Sequence, residues 1–463
     1  MRTLMIALAA LLSLAAPAHS GQANDPAGPS VAVTRDGDAW TADYVFDRDA
    51  PVWAFFRSAL TEDDRRAWRP EQWRVVTPGV VLERVGGRDI LRTVGGGPVP
   101  RHVRIAFTPR ADKLEAEYEV LVFSDGSVAM PSGLFDVFPL GSVAEVEGVP
   151  LDLNGFPLAT GPATVTWRDR AGPVLFKGER LAEATAAQAE TYVLFGQAGL
   201  VESERLVTVI DPELPAWIAQ GIAETAPRMA DYYGRHLGPG QSGRPTVMVS
   251  WAGQTHPGAS MSGSVMPGLI VMNFSGARVI EPNPEVLDMA SWFIAHESAH
   301  FWLGQVVRYE RERDAWITEG GADLMAIRGL AALDPGYDAA SALRKAIDDC
   351  ARLGDEPVVE AAGRGEHRAL YACGAVFGLV AEGAQGRATG GDAFDFLSTL
   401  IDASRADGVL TRAEWLDALD AVSGDPSLRR DIEGLLDQGS SDAAGVVAGL
   451  LERSGASIEG SSP

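Results

Sequence analysis

Cysteine is nearly absent from the chain: Cys350 and Cys373 are the only two in 463 residues. A scaffold held by a framework of disulfides is therefore excluded, and no more than one bridge can form. Both cysteines fall in stretches predicted to be helical and joined by a Gly-rich connection, which leaves their pairing open, because a sequence does not supply disulfide geometry. Basic charge is also short. Against 63 Asp and Glu stand 39 Lys and Arg, a net charge of −24 at pH 7. That excludes a nucleic-acid partner, which needs a basic surface. Long apolar runs are missing except for Leu4 to Ala16, which is too short to span a bilayer comfortably. With Arg2 before it and Ala18-His19-Ser20 after it, the run has the layout of a secretory signal over residues 1–20. The expected mature chain is secreted or periplasmic, with no integral membrane segment. No internal repeat is visible.

What is present is enough apolar material, 46% of residues, for large cores in two or more domains. Over residues 21–205 the hydropathy mostly alternates with period two between Pro/Gly breaks, as in Ala39 to Phe46, His102 to Phe107 and Thr164 to Trp167. That pattern predicts an antiparallel β-rich domain, packed as a sandwich or barrel. Two helical interruptions are expected, around Pro51 to Leu60 and Leu181 to Ala189. After Asp211 the period becomes helical, with Pro227 expected to kink the first helix. A strand at Pro245 to Trp251 and a strand pair at Met261 to Val265 and Leu269 to Phe274 come next. Asn283 and Pro284 then provide a cap and a first-turn proline for a further helix. Residues 206–400 are read as one domain. Residues 401–463 are read as a short helical region, with Thr411 to Glu414 a capping box and a disordered tail from about Ser454.

That further helix carries the chemistry. Ser291 to Gly304 contains His296-Glu297-Ser298-Ala299-His300, an H-E-x-x-H pattern in an apolar run. Histidines four apart lie about 40° from each other around a helix, so both imidazoles reach one metal ion. Glu297, one step round, is placed to take a proton from a water at the metal. Glu319 follows in Trp316-Ile317-Thr318-Glu319-Gly320-Gly321-Ala322, where Thr318 is expected to cap a helix. Two histidines and a glutamate form a catalytic donor set for a single Zn2+, because they leave the fourth tetrahedral position free. Asp323, four residues past Glu319, shares its face and is placed to orient a ligand histidine.

These segments resemble the zinc core of the aminopeptidase N-type gluzincins, which carry H-E-x-x-H-x-W-x-G and then W-x-x-E-G-x-A at the same separation. The resemblance spans roughly residues 206–385. It implies an α+β chain in which the β-rich domain precedes a thermolysin-like (gluzincin) peptidase domain with a short helical C-terminal stub. It also implies that His296, His300 and Glu319 bind zinc, that Glu297 is the general base, and that the substrate is a peptide. Leu370-Tyr371-Ala372-Cys373-Gly374 is similar to the family's Y-x-K-G segment, whose tyrosine steadies the oxyanion. Here Cys373 replaces the lysine. Arg364, His367 and Arg368 precede Tyr371 and border the expected cleft; as cations they either hold a substrate carboxylate or cap the helix, and the cap is the expected role.

One departure bears on specificity. The family's G-x-M-E-N stretch has as its nearest counterpart Gly263-Ser264-Val265-Met266-Pro267-Gly268-Leu269, the expected substrate-binding strand. It holds no acid, and neither Asp nor Glu occurs between Asp231 and Glu281. A free α-amine needs a buried negative partner. The expected activity is therefore a zinc-dependent metallopeptidase, aminopeptidase-like. Its alternatives are an endopeptidase or non-peptide hydrolase on the same fold, or a non-catalytic binding protein that keeps the zinc site.

Overall fold

A computed structural model describes residues 9–10, 28–62, 64–115, 117–150, 153, 156–187, 191–204, 206–240 and 244–458. The signal-peptide reading of residues 1–20 lies outside them apart from Ala9–Ala10, as does the tail beyond residue 458. By internal contacts the chain divides into two compact units. One comprises Met1–Glu202, Val207–Ala219 and Arg244–Glu281, and the other Ser203–Leu206, Gln220–Gly243 and Pro282–Pro463.

The first unit is built of strands. One sheet runs Ala184–Ala187, Thr164–Asp169, Ser30–Asp36, Ala39–Val45, His102–Phe107 and Trp73–Val75. A second runs Val137–Leu140, Val52–Phe55, Arg88–Thr93 and Val80–Val85, and a third is formed around Tyr192–Phe195. Alternation along Ala39–Val45 buries Trp40, Ala42 and Tyr44 while Thr41, Asp43 and Val45 are more exposed. That is the period-two pattern of a strand with one face on a core. The core is aromatic. Phe46 stacks on Trp53 at 4.3 Å, and Trp73 lies 5.1 Å from Phe107 and 5.2 Å from Phe135. Among the described residues the pairing within these three sheets is antiparallel as expected, with one exception: Thr164–Asp169 runs parallel to Ser30–Asp36.

Neither expected helical interruption is a helix among the described residues, and both contain strands; residues 188–189 lie outside the described residues. Val52–Phe55 pairs on both edges, with Val137–Leu140 and Arg88–Thr93. All four of its side chains are buried, and a short run buried on both faces has no period by which to tell strand from helix. Around Leu181 to Ala189 the chain forms Glu179–Leu181 and then Ala184–Ala187, paired with Thr164–Trp167. Alanine's helix propensity is overridden there by sheet pairing, which buries Ala184 and Ala186 and leaves Thr185 and Ala187 outside.

A mixed six-stranded sheet completes this unit, in the order Ala9–Ala10, Ser260–Met266, Leu269–Ser275, Thr246–Trp251, Val207–Ile210 and Leu200–Glu202. Val207–Ile210 is parallel to Thr246–Val249, a pairing that requires the long crossover through the helix Ala216–Leu237. Ser260–Met266 pairs antiparallel with Leu269–Ser275, as the sequence predicts. Its other edge carries Ala9–Ala10 in parallel at Ser262 and Gly263.

The second unit is helical among the described residues apart from a short ladder, Arg308–Tyr309 with Val409–Leu410, and an isolated bridge between Leu303 and Val307. Its main helices are Pro284–Ala299, Trp316–Leu333, Ala339–Leu353 and Arg368–Thr389, followed by four of twelve residues each. Asn283 caps the first, accepting from the Glu285 amide with Pro284 in the first turn, and Thr411 and Glu414 form the expected capping box. Thr318 does not cap. The helix begins at Trp316 because a 3₁₀ turn at Glu312–Asp314 runs into it through a helical Ala315, and the Thr318 hydroxyl donates to the Ala315 carbonyl. Cys350 and Cys373 are disulfide-bonded, tying Ala339–Leu353 to Arg368–Thr389. No described helix is long and apolar enough to cross a membrane.

Candidate metal centre

Every element of the centre belongs to the helical second unit. His296 lies in the last turn of Pro284–Ala299, and His300 is the residue at which that helix stops. The chain then turns back, with Gly304 at φ 134° and its amide donating to the Val307 carbonyl, so that the Leu303 carbonyl faces the His300 ring. Few side chains adopt that backbone conformation, which explains the glycine. The helix Trp316–Leu333 brings Glu319 in from its first turn and Asp323 one turn later.

Side-chain geometry follows from who donates to whom. Asp323 Oδ1 accepts from His296 Nδ1 at 2.9 Å, and the Leu303 carbonyl accepts from His300 Nδ1 at 2.8 Å. Carboxylate and carbonyl oxygens only accept, so both rings carry a proton on Nδ1 and, when neutral, a bare lone pair on Nε2. Those two Nε2 atoms are nonetheless 3.1 Å apart, and Glu319 Oε2 lies 3.5 Å from one and 3.4 Å from the other. Three electron-rich atoms converge with no donor among them, an arrangement that a proton or a cation satisfies. Zinc bonds of about 2.0–2.1 Å in a tetrahedron place neighbouring donors about 3.3 Å apart. The three distances fit that edge, so His296, His300 and Glu319 can hold a metal ion.

The electrostatics agree. Burial opposes a charge on His296, but its bonds to Asp323 and Glu319 outweigh this and raise its pKa to about 10 in the metal-free protein. His300 is raised in the same way, with Glu319 outweighing burial. Glu319 is held far below the usual carboxylate range because the two histidines overcome its burial. Glu297 moves upward: burial raises it, and the neighbouring histidines only partly compensate. Tyr371 is a half-buried phenol whose ring stacks on His296 at 5.6 Å. Burial, and then the Glu319 and Glu297 carboxylates, keep it protonated.

What aligns the Tyr371 helix with the Glu319 helix is a crossing at two glycines. A Cβ on Gly374 would meet the Trp316 carbonyl oxygen at 2.2 Å, and one on Gly320 would meet Gly374 Cα at 2.2 Å. The backbones touch there, one residue past Glu319 and three past Tyr371.

The structure thus gathers His296, Glu297, His300, Glu319, Asp323 and Tyr371 in one unit. Gly263, Ser264, Val265 and Met266 lie in the other, on the strand Ser260–Met266, with Ser264 and Met266 buried and Gly263 and Val265 partly exposed. Arg368 is not the helix cap the sequence suggests. Its Nη1 donates to Asp323 Oδ2 at 3.0 Å and its Nε to Asp349 Oδ2 at 3.0 Å. His367 is the cap residue but makes no capping bond, and Arg364 pairs with Glu366. Sequence reasoning missed Asp349 altogether. The available signal was its place beside Cys350, in a helix tied to the Tyr371 helix only if the cysteines pair.

Neither a protein-family model nor a curated protein matches the sequence. Solved structures do match. An aminopeptidase N family protein from Idiomarina loihiensis superposes with a TM-score of 0.57 at 11% identity, over 92% of this chain and 78% of that one. An M1 zinc metallopeptidase from Deinococcus radiodurans gives a TM-score of 0.44 at 14% identity, over 90% and 94% of the two chains. A variant of that enzyme bound to a Tyr-Ser-Ala substrate gives 0.45 at 15% identity, over 89% and 94%. The first of these likenesses establishes an aminopeptidase N-like fold for this chain.

Proposed function

We propose that this chain, on its aminopeptidase N-like fold, is a zinc-dependent metallopeptidase that hydrolyses peptide bonds. The observation that carries the reading is the triangle of His296 Nε2, His300 Nε2 and Glu319 Oε2, with sides of 3.1, 3.4 and 3.5 Å and, while the rings are neutral, no donor of its own. These three residues hold the metal. Zinc bound there supplies Lewis acidity, polarising a carbonyl and lowering the pKa of water in its open position.

The rest of the reaction belongs to the protein. Glu297 accepts a proton from the attacking water as its oxygen bonds to the carbonyl carbon. The same carboxyl then delivers that proton to the departing nitrogen as the C–N bond breaks. Tyr371, held neutral, donates a hydrogen bond to the carbonyl oxygen as negative charge builds on it. Asp323 and the Leu303 carbonyl fix the two histidines with Nε2 facing inward.

Aminopeptidase-like action is the finer reading, supported by the fold. The acid-free strand Ser260–Met266 favours a second, endopeptidase action that needs no free α-amine. Matched peptides with free and acetylated N-termini separate the two, since equal cleavage of both excludes exopeptidase action. Glu297→Gln is the test of the main reading. The variant is expected to retain zinc and lose turnover by several orders of magnitude, and turnover equal to wild type would refute the assigned base.

A further inference from the structure

Behind Asp323 a chain of charges continues through Arg368 to Asp349, two residues to which the reaction above gives no part. Asp323 is buried, with 4% of its side chain exposed. One oxygen accepts from His296; the other accepts from Arg368 Nη1. Among the described residues these are its partners. Arg368 is more exposed, at 38%, but it is held at its other edge by Asp349, through Nε at 3.0 Å. Burial would weaken its charge, yet Asp323 and Asp349 outweigh burial and strengthen it. Asp349 in turn is kept ionised, with Arg368 and Arg352 overcoming its partial burial. It is followed directly by Cys350, whose partner Cys373 lies on the same helix as Arg368. The Asp349–Arg368 pair therefore spans the two helices that the disulfide closes.

We propose that Arg368 is a positioning residue for the metal centre: braced by Asp349, its planar fork fixes the Asp323 carboxylate, which fixes the His296 ring. This inference rests on the metal centre proposed above and deepens it. Two effects of Arg368 oppose each other. Its positive charge disfavours a nearby cation, so removing it would by itself tighten zinc binding. Its hydrogen bond holds one oxygen of a buried carboxylate that has no other donor for that oxygen among the described residues. Without it, Asp323 is free to turn, and His296 loses its fixed acceptor. The second effect prevails, because the guanidinium is partly solvated and its charge is already offset by two carboxylates, whereas Asp323 is enclosed.

The test is zinc binding to the full chain, by competition with a chromogenic chelator, together with the visible spectrum of the cobalt-loaded protein as a report on ligand orientation. Arg368→Met is expected to weaken zinc by about tenfold, the low end for residues that orient a ligand, and to shift the cobalt spectrum. Arg368→Lys keeps the charge but cannot reach both carboxylates, and is expected to recover part of the loss. Asp349→Asn, which leaves the disulfide and Arg368 intact, is expected to lose less than Arg368→Met. Zinc affinity equal to or tighter than wild type in Arg368→Met, with an unchanged cobalt spectrum, overturns the proposal. Should that variant not fold, unchanged affinity and spectrum in folded Asp349→Asn overturn it. The failure of wild-type protein to bind zinc at all would instead remove the metal centre itself, so the two outcomes are distinguishable.

Discussion

Replacing Gly374 with alanine adds one methyl group at the crossing that aligns the two helices of the centre. That carbon would stand 2.2 Å from the Trp316 carbonyl oxygen, 2.8 Å from Gly320 Cα and 3.0 Å from the Trp316 carbonyl carbon. Comfortable contacts begin near 3.5 Å, so the helices must part by on the order of 1 Å. All three obstacles are backbone atoms and cannot turn away. The overpacking cost therefore lies at the upper end of its usual range, about 3 kcal/mol. Alanine's better helix propensity offsets about 1 kcal/mol, for a net loss of about 2 kcal/mol. Activity should fall by more than stability suggests. Glu319 sits directly before Gly320 and Tyr371 three residues before Gly374, so parting the helices separates the proposed ligand from the proposed oxyanion donor. A displacement of that size costs about 100-fold in kcat/KM. Peptide hydrolysis by the zinc-loaded protein, alongside denaturant unfolding, measures both. Gly434→Ala is the internal control: it too lies in a helix, but a Cβ there meets nothing within 4 Å. That change should stabilise by up to about 1 kcal/mol and leave turnover alone. If Gly374→Ala kept wild-type turnover and stability, the close crossing would not be what holds the centre in register.

Three further outcomes are expected. Tyr371→Phe should lower kcat by about 10²–10³-fold while zinc content stays at one ion, since only the oxyanion donor is lost; an unchanged kcat would remove the tyrosine from the reaction. In the metal-free protein the pKa of His296 is raised from 6.5 to about 10, so its bound proton adds stability that is complete below pH 6.5 and lost as pH rises towards 10. Zinc must displace that proton and any that His300, also raised, still holds, so its affinity should rise at least about tenfold per pH unit across the same window, and a calorimetric binding heat independent of buffer would contradict this. The Cys350–Cys373 disulfide closes a loop with a sequence separation of 23. Converting both cysteines to alanine should therefore lower unfolding stability by about 3 kcal/mol, and an unaltered denaturation midpoint would show that the bridge adds nothing.

Much of the centre was legible in the sequence because its parts are local. His296 and His300 are four apart on one helix, Glu319 and Asp323 four apart on another, and the helical repeat places each pair on one face whatever the surroundings. Asn283-Pro284 marked where the first of these helices begins for the same reason: a cap is an interaction with the backbone two residues away. Alternation along Ala39–Val45 likewise announced a strand with one buried face. Local signals failed where burial was two-sided or composition misled. Val52–Phe55 has no polar face to betray its period, and the alanines of 184–187 adopt the sheet because Thr164–Trp167 offers them a partner.

Contacts between distant segments were left to tertiary structure. That Arg368 would meet Asp323, 45 residues earlier, and not cap its own helix depended on where the helix Trp316–Leu333 runs. The choice of cysteine pairing and the backbone contact of Gly320 with Gly374 depended on the same packing. Sequence spacing sets the angle between side chains on one element, through a fixed geometric repeat. Which faces of separate elements meet, and how closely, is set by the packing of all of them together, and no local period encodes it.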